Sequence, residues 1–178
     1  MNQSDTKNDV SNEDIQSLVE TLKNEDGIVR QNARIALVNI GEPALDALIK
    51  AFEIKKDPLH WEVAKALSQI GTSKAAQTLV DALEDKEFSV RWIAAEGLIH
   101  IGSDGILPML EALRKKSDSV WLREGCHHVF HDLLHKKLVN ADAQESLLPV
   151  LEALNHIDTV VRTNSAANAA LRLLNKKE

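Results

Sequence analysis

Three stretches of this chain lie over one another without a gap, and that repetition restricts the fold more than any other feature. They read Val29-Arg-Gln-Asn-Ala-Arg-Ile-Ala-Leu-Val-Asn-Ile-Gly41, Leu59-His-Trp-Glu-Val-Ala-Lys-Ala-Leu-Ser-Gln-Ile-Gly71 and Val90-Arg-Trp-Ile-Ala-Ala-Glu-Gly-Leu-Ile-His-Ile-Gly102. Their closing glycines stand 30 and 31 residues apart. A fourth copy, Leu122-Arg-Glu-Gly-Cys-His-His-Val-Phe-His-Asp-Leu133, keeps the basic residue at Arg123. A degenerate fifth starts at Val161-Arg162 and closes on Ala170, Leu171 and Leu174. A period of this length marks an array of stacked supersecondary units.

Each glycine is followed by a second amphipathic segment, at residues 44–54, 74–84, 106–115 and 144–155, with Leu-x-x-Leu spacing such as Leu45/Leu48 and Leu79/Leu83. That spacing puts one apolar stripe on a helix. Residues 13–23 supply the opening helix of the first unit. The glycine is expected to take the left-handed position that ends a helix, with Pro43 or Gly105 beyond it blocking continuation. One hairpin cannot cover its own apolar face, whereas five stacked hairpins bury a continuous core. Ala33, Ala36, Ala64, Ala66, Ala94, Ala95 and Gly97 let the second helices approach closely. The fold class is therefore all-α, an α-α superhelix (solenoid) of about five helical hairpins. Residues 1–11 are polar and aperiodic and read as a disordered tail, leaving 12–178 as one repeat domain.

Composition narrows the function. The 178 residues carry 27 acidic and 21 basic side chains, for a net charge of −6. That balance argues against nucleic acid or an anionic membrane as partner, since both select a basic stripe. No run approaches a membrane span and the first residues are too polar for a signal peptide, so the cytoplasm is the default compartment. Cys126 is the only cysteine, which excludes disulfides and multi-thiolate metal sites. No Ser-His-Asp arrangement, phosphate-binding glycine loop or helical His-Glu-x-x-His occurs, so a binding role is favoured over an enzymatic one.

The pattern Val-Arg-x-x-Ala-Ala-x-Ala-Leu-x-x-Ile-Gly, preceded by an acid, resembles the HEAT-like repeats of the phycobilisome-lyase type over roughly residues 13–175. The resemblance implies an armadillo-like solenoid whose second helices line the concave side. Related proteins include scaffolds, bilin lyases and the di-iron deoxyhypusine hydroxylase. The hydroxylase's repeated His-Glu pairs are missing here, where the matching positions include Trp61-Glu62 and Trp92-Ile93 and the first copy reads Asn32-Ala33 close by. That activity is not expected.

Two sets of residues invite a function. The first is the basic column Arg30, His60, Arg91, Arg123 and Arg162, preceded in turn by Asp26, Asp57, Glu87, Asp118 and Asp158. An acid beside every base suggests a structural ladder of ion pairs rather than a phosphate groove. The second emerges from a helical wheel at about 100° per residue. It turns Trp92, Ala95, Glu96 and Ile99 outward, with Trp61, Ala64, Lys65 and Ser68, and Gln31, Arg34, Ile35 and Val38, at the same positions. In the fourth copy the outward arc carries Glu124, His127, His128 and His131, and His135 continues it along an extended helix.

The favoured expectation is a non-enzymatic scaffold or adaptor. It holds another protein or a peptide segment on its concave face through Trp61, Trp92, Ile99, Glu124, His127, His128 and His131. The alternative is a metal or tetrapyrrole site at Glu124, His127, His128, His131 and His135, with lyase-like chemistry. Histidines at i,i+4 and Glu-x-x-His at i,i+3 suit ligation. A third possibility is contact through acids of the first helices (Glu20, Asp46, Glu53, Asp81, Glu84, Glu111). Trp121 and Cys126 are expected in the core, Cys126 as an inert structural thiol.

Overall fold

The computed structural model describes residues 11–54, 59–155 and 159–175, and all regular structure among them is helical. Ten α-helices alternate as first and second members of five hairpins. The first pair is α1 (Asn12–Thr21) and α2 (Gly27–Ile40), and the next is α3 (Leu45–Phe52) and α4 (Leu59–Ile70). Then come α5 (Ala76–Ala82) with α6 (Phe88–Ile101), and α7 (Ile106–Lys115) with α8 (Val120–His135). The fifth pair is α9 (Ala141–Leu154) and α10 (Thr159–Leu174). The all-α solenoid expected from the repeat is what forms.

Local chemistry explains the boundaries. Ser11 is the N-cap of α1, accepting a hydrogen bond from the Asp14 N–H while the Asp14 carboxylate accepts one from the Ser11 N–H. This reciprocal pair satisfies two otherwise orphaned donors. Ser11 therefore belongs to the domain rather than to the tail, and the rest of the expected tail, residues 1–10, lies outside the described residues. Asp26, Ser119 and Asn140 cap α2, α8 and α9 one way only, their side chains accepting from the N–H groups of Ile28, Leu122 and Ala143.

Gly41, Gly71 and Gly102 close α2, α4 and α6 with φ of 74°, 66° and 73°. At Gly41 and Gly102, ψ is −133° and −132°. These glycines share the positive φ of the left-handed helical well anticipated, but ψ is turned by roughly half a circle from it, into a region open to glycine in which a Cβ is strained. The chain then turns at once into a short 3₁₀ segment leading to the next hairpin. Helix α8 has no such glycine and runs for 16 residues. It ends in a Schellman arrangement. Lys137 sits at φ 55°, the Lys137 N–H donates to Leu134 O, and the Leu138 N–H donates to Leu133 O.

The second helices α2, α4, α6 and α8 pack each on the next, and matching repeat positions meet in the core. Leu37, Leu67, Leu98 and Phe130 occupy one such position and are all fully buried. Glycines set the closest approaches. A Cβ on Gly97 would lie 2.9 Å from Leu79 and Ser68 side-chain atoms, and one on Gly125 would lie 2.8 Å from Leu83.

The fifth hairpin breaks the pattern. In a regular continuation α10 would extend the second-helix row on α8. Instead α10 packs on α7 and α9, while α9 lies beside α8. Asn164 of α10 donates to the Arg114 carbonyl in the last turn of α7, at 2.6 Å. The two rows thus exchange roles in the terminal unit.

Candidate functional site

Among the described residues, Arg30, Arg91 and Arg123 are held by backbone carbonyls of the preceding turn rather than by the acids expected to pair with them. Arg30 Nη1 donates to the carbonyls of Asn24 and Glu25, Arg91 Nη1 to those of Asp85 and Lys86, and Arg123 Nη1 to that of Ser117. The guanidinium fork reaches back over the preceding turn and satisfies carbonyls left free where the first helix ends. Asp26 caps α2, and Glu87 makes no side-chain cap. Asp57 and Asp158 lie outside the described residues. Two members of the column, Arg30 and His60, do reach between units, but to acids other than those expected. Glu62, buried on α4, accepts from Arg30 Nε at 3.3 Å and from Arg34 Nε at 2.9 Å, and Arg34 Nη1 donates to Gln69 Oε1 at 2.7 Å. His60 is too short to reach the carbonyls and its Nδ1 meets Asp85 Oδ2 at 2.6 Å in the next unit.

Arg34 is therefore buried, not outward. Ala64, Ser68, Ala95 and Ile99 are buried as well, so the wheel's outward arc is narrower than expected. Ile99, at 8% exposure, is the one expected contact residue enclosed by the fold. Helices α4 and α8 flank α6 on both sides, and the close passage at Gly97 draws α4 over the C-terminal half of α6. Only the N-terminal half stays open. Trp92, there, is 49% exposed. Trp61 is half-buried against the core, its indole facing Arg34 Cζ at 5.7 Å.

Trp121 was expected in the core and is not. It is 44% exposed, beside Val120, which is also exposed. It stands one residue ahead of the repeat block, just beyond the edge of the wheel's outward arc. Arg91 lies over its ring at 4.6 Å and over that of Phe88 at 5.6 Å. Phe88 in turn neighbours Trp92 at 6.3 Å, and Trp92 stacks on His128 at 5.0 Å. A continuous file of π systems and one guanidinium thus crosses from α6 to α8 around a cleft of about 230 Å³. Ala95 and Gly125 form the stretch without bulky side chains, and Glu124 stands at the edge. Of the expected contacts, Trp92, Glu124 and His128 come together here. Phe88, Arg91 and Trp121 were missed as contacts because Phe88 and Trp121 precede the repeat blocks and Arg91 read as a structural base.

The remaining histidines form a second column. The rings of His127 and His131 are 6.3 Å apart and those of His131 and His135 are 5.8 Å apart, nearly parallel in both pairs. His127 Nε2 meets Asn155 Oδ1 at 2.8 Å, His128 Nε2 meets Glu96 Oε1 at 3.3 Å, and His131 Nδ1 meets Asp132 Oδ1 at 3.3 Å. Among the described residues, no three His, Cys, Asp or Glu side chains are grouped to hold one metal ion. Lys136, and secondarily His131, hold the Asp132 carboxyl below the usual carboxylate range. Cys126 is fully buried, and burial pushes its thiol up. This is the structural role expected of it.

A larger groove of about 590 Å³ lies beside Phe52, His60 and Asp81. Within it Lys116 pairs with Glu84, and His60 Nδ1 meets Asp85. Of the acids of the first helices, Glu20 pairs with Lys23, Asp46 with Lys74 and Glu111 with Arg114, while Asp81 accepts from the Gln77 amide. Among the described residues, no helix is long and apolar enough to cross a membrane.

A family model of HEAT repeats matches residues 15–98 and 58–127. Two crystal structures of engineered proteins from the Northeast Structural Genomics Consortium are similar to 92% and 91% of the chain, each at 20% identity and a TM-score of 0.41. The chain spans 80% of the first and 48% of the second. No curated protein matches it.

Proposed function

The chain belongs to the HEAT repeat family, and from that premise we propose that it is a non-enzymatic adaptor that holds a segment of a partner protein in the cleft between the N-terminal halves of α6 and α8. One observation carries this reading. Three large aromatic side chains, Phe88, Trp92 and Trp121, stay open to solvent around a single concavity, at 67%, 49% and 44% exposure. Leaving an aromatic ring half in water forfeits on the order of 1 kcal/mol of transfer free energy. Clustered aromatic and arginine side chains in a concave setting are the usual anchors of protein interfaces. His127 and His131 continue along α8, and the half-buried Trp61 stands on the neighbouring α4, so they extend the contact surface on either side.

The test is a panning experiment in which the full chain selects binders from a displayed random peptide library. Selected peptides are expected to quench or shift tryptophan emission and to lose binding to Trp92→Ala/Trp121→Ala. The double variant should melt within a few degrees of the wild type, because both rings are only half buried. Binding that survives the double substitution refutes the assignment of this cleft.

A further inference from the structure

The repeat offers its own comparison for what the cleft takes. Laying α2 and α4 over α6 and α8 puts Ala95 where Arg34 stands, Gly125 where Glu62 stands, and Glu124 where Trp61 stands. In the α2–α4 pair that space is filled. Arg34 runs through it, meets the Trp61 ring at 5.7 Å and is anchored on Glu62 at 2.9 Å. Between α4 and α6 the same positions are Ala64 and Ile93, and Ile93 is buried there. Between α6 and α8 both side chains have been cut back to Ala95 and Gly125, and the space stands open as the 230 Å³ cleft. A Cβ on Gly125 would meet the Leu83 side chain at 2.8 Å, so refilling the space from α8 would require Leu83 to shift.

What surrounds the opening matches what Arg34 has next to it. Indole faces are supplied by Trp92 and Trp121, and the carboxylate by Glu124, which forms no ion pair among the described residues. Arg91 already shows that this setting accepts a guanidinium, lying over Trp121 at 4.6 Å. A second guanidinium beside it repeats the Arg30/Arg34 arrangement, in which two arginines share one acid. With Glu96 bonded to His128 at the rim and a chain charge of −6, the long-range field favours a basic visitor.

Resting on the binding reading above, we infer that the cleft receives an arginine side chain of the partner protein, which replaces the missing Arg34 counterpart, packs on the indoles and pairs with Glu124. Planar stacking together with a forked hydrogen bond selects arginine over lysine.

The panning experiment decides it through the composition of what is enriched, with Glu124→Gln and Ala95→Arg run in parallel. Enriched peptides are expected to carry arginine at one fixed position. Changing it to alanine, or Glu124 to glutamine, should weaken binding about tenfold or more, as loss of a charge-assisted hydrogen bond would, with lysine in between. Ala95→Arg, which supplies the guanidinium from within, should block binding. Glu124→Gln is an exposed, isosteric change and serves as the arbiter if Ala95→Arg does not fold. Enrichment of acidic peptides facing Arg91, or of apolar peptides without arginine, overturns this inference and leaves the docking site standing. No enrichment at all overturns both.

Discussion

Gly102 isolates one physical effect. Nothing lies within 4 Å of where its Cβ would be, so Gly102→Ala meets no steric contact and only the backbone at φ 73° objects. The expected loss is about 1–3 kcal/mol in chemical denaturation. Lys137, at φ 55° with the same job at the end of α8, predicts the reverse. Lys137→Gly should gain up to about 1 kcal/mol, because a side chain in that conformation is disfavoured by roughly that much. A second prediction concerns Asp132. Its carboxyl is held low by Lys136, so the pair contributes stability above the ordinary aspartate range, and the contribution is lost as pH falls through the lowered folded value. Carbon-detected NMR should show Asp132 titrating below the usual aspartate value. Lys136→Ala should return it toward the usual value.

At the scale of helix pairs, the buried knot of Arg34, Glu62 and Arg30 ties the first unit to the second. Glu62→Ala leaves two guanidinium groups without their acid in a site where Arg34 is 8% exposed. Such a loss costs about 3–5 kcal/mol. The expected readout is a lower unfolding midpoint with unchanged denaturant dependence, partly restored in Arg34→Met/Glu62→Ala, where the deeper charge is gone too. This knot was invisible in the letters alone. The wheel turned Arg34 outward because a lone helix has no neighbour, and it was the lateral packing of α4 on α2 that enclosed it. The same lateral packing swallowed Ile99 and narrowed the outward strip to Trp92 and Glu96. Trp121 went the other way. It lies one residue ahead of the matched block, and the expectation of a buried tryptophan rested on that place beside Leu122, whereas Leu122 is buried and Trp121 turns outward under Arg91.

For the whole molecule, the count of hairpins, their boundaries and the row of second helices were all legible, since each repeat copies its neighbours' local chemistry. The fifth hairpin was legible only as a pair of helices. Its docking depends on which faces meet, and the degenerate copy at Val161-Arg162 carried no register to read. The exchange of rows makes a testable statement. Leu171, on α10 and 7% exposed, should when changed to alanine cost about 2–5 kcal/mol. Hydrogen exchange should then rise in α7 and α9, the helices α10 covers, ahead of α8. Faster exchange in α8 with α7 unaffected would contradict that placement.

The return of α10 onto α7 also gives the array a direction of growth. A regular unit would stack its first helix on α7, and α10 now covers that surface, so a hairpin placed behind α10 would meet a different face from the one each earlier unit meets. A duplicated unit that keeps the repeat's own contacts belongs upstream of the fifth hairpin. The glycine turns at Gly71 and Gly102 offer natural joints, because both sides of each already present the pattern a new copy would need.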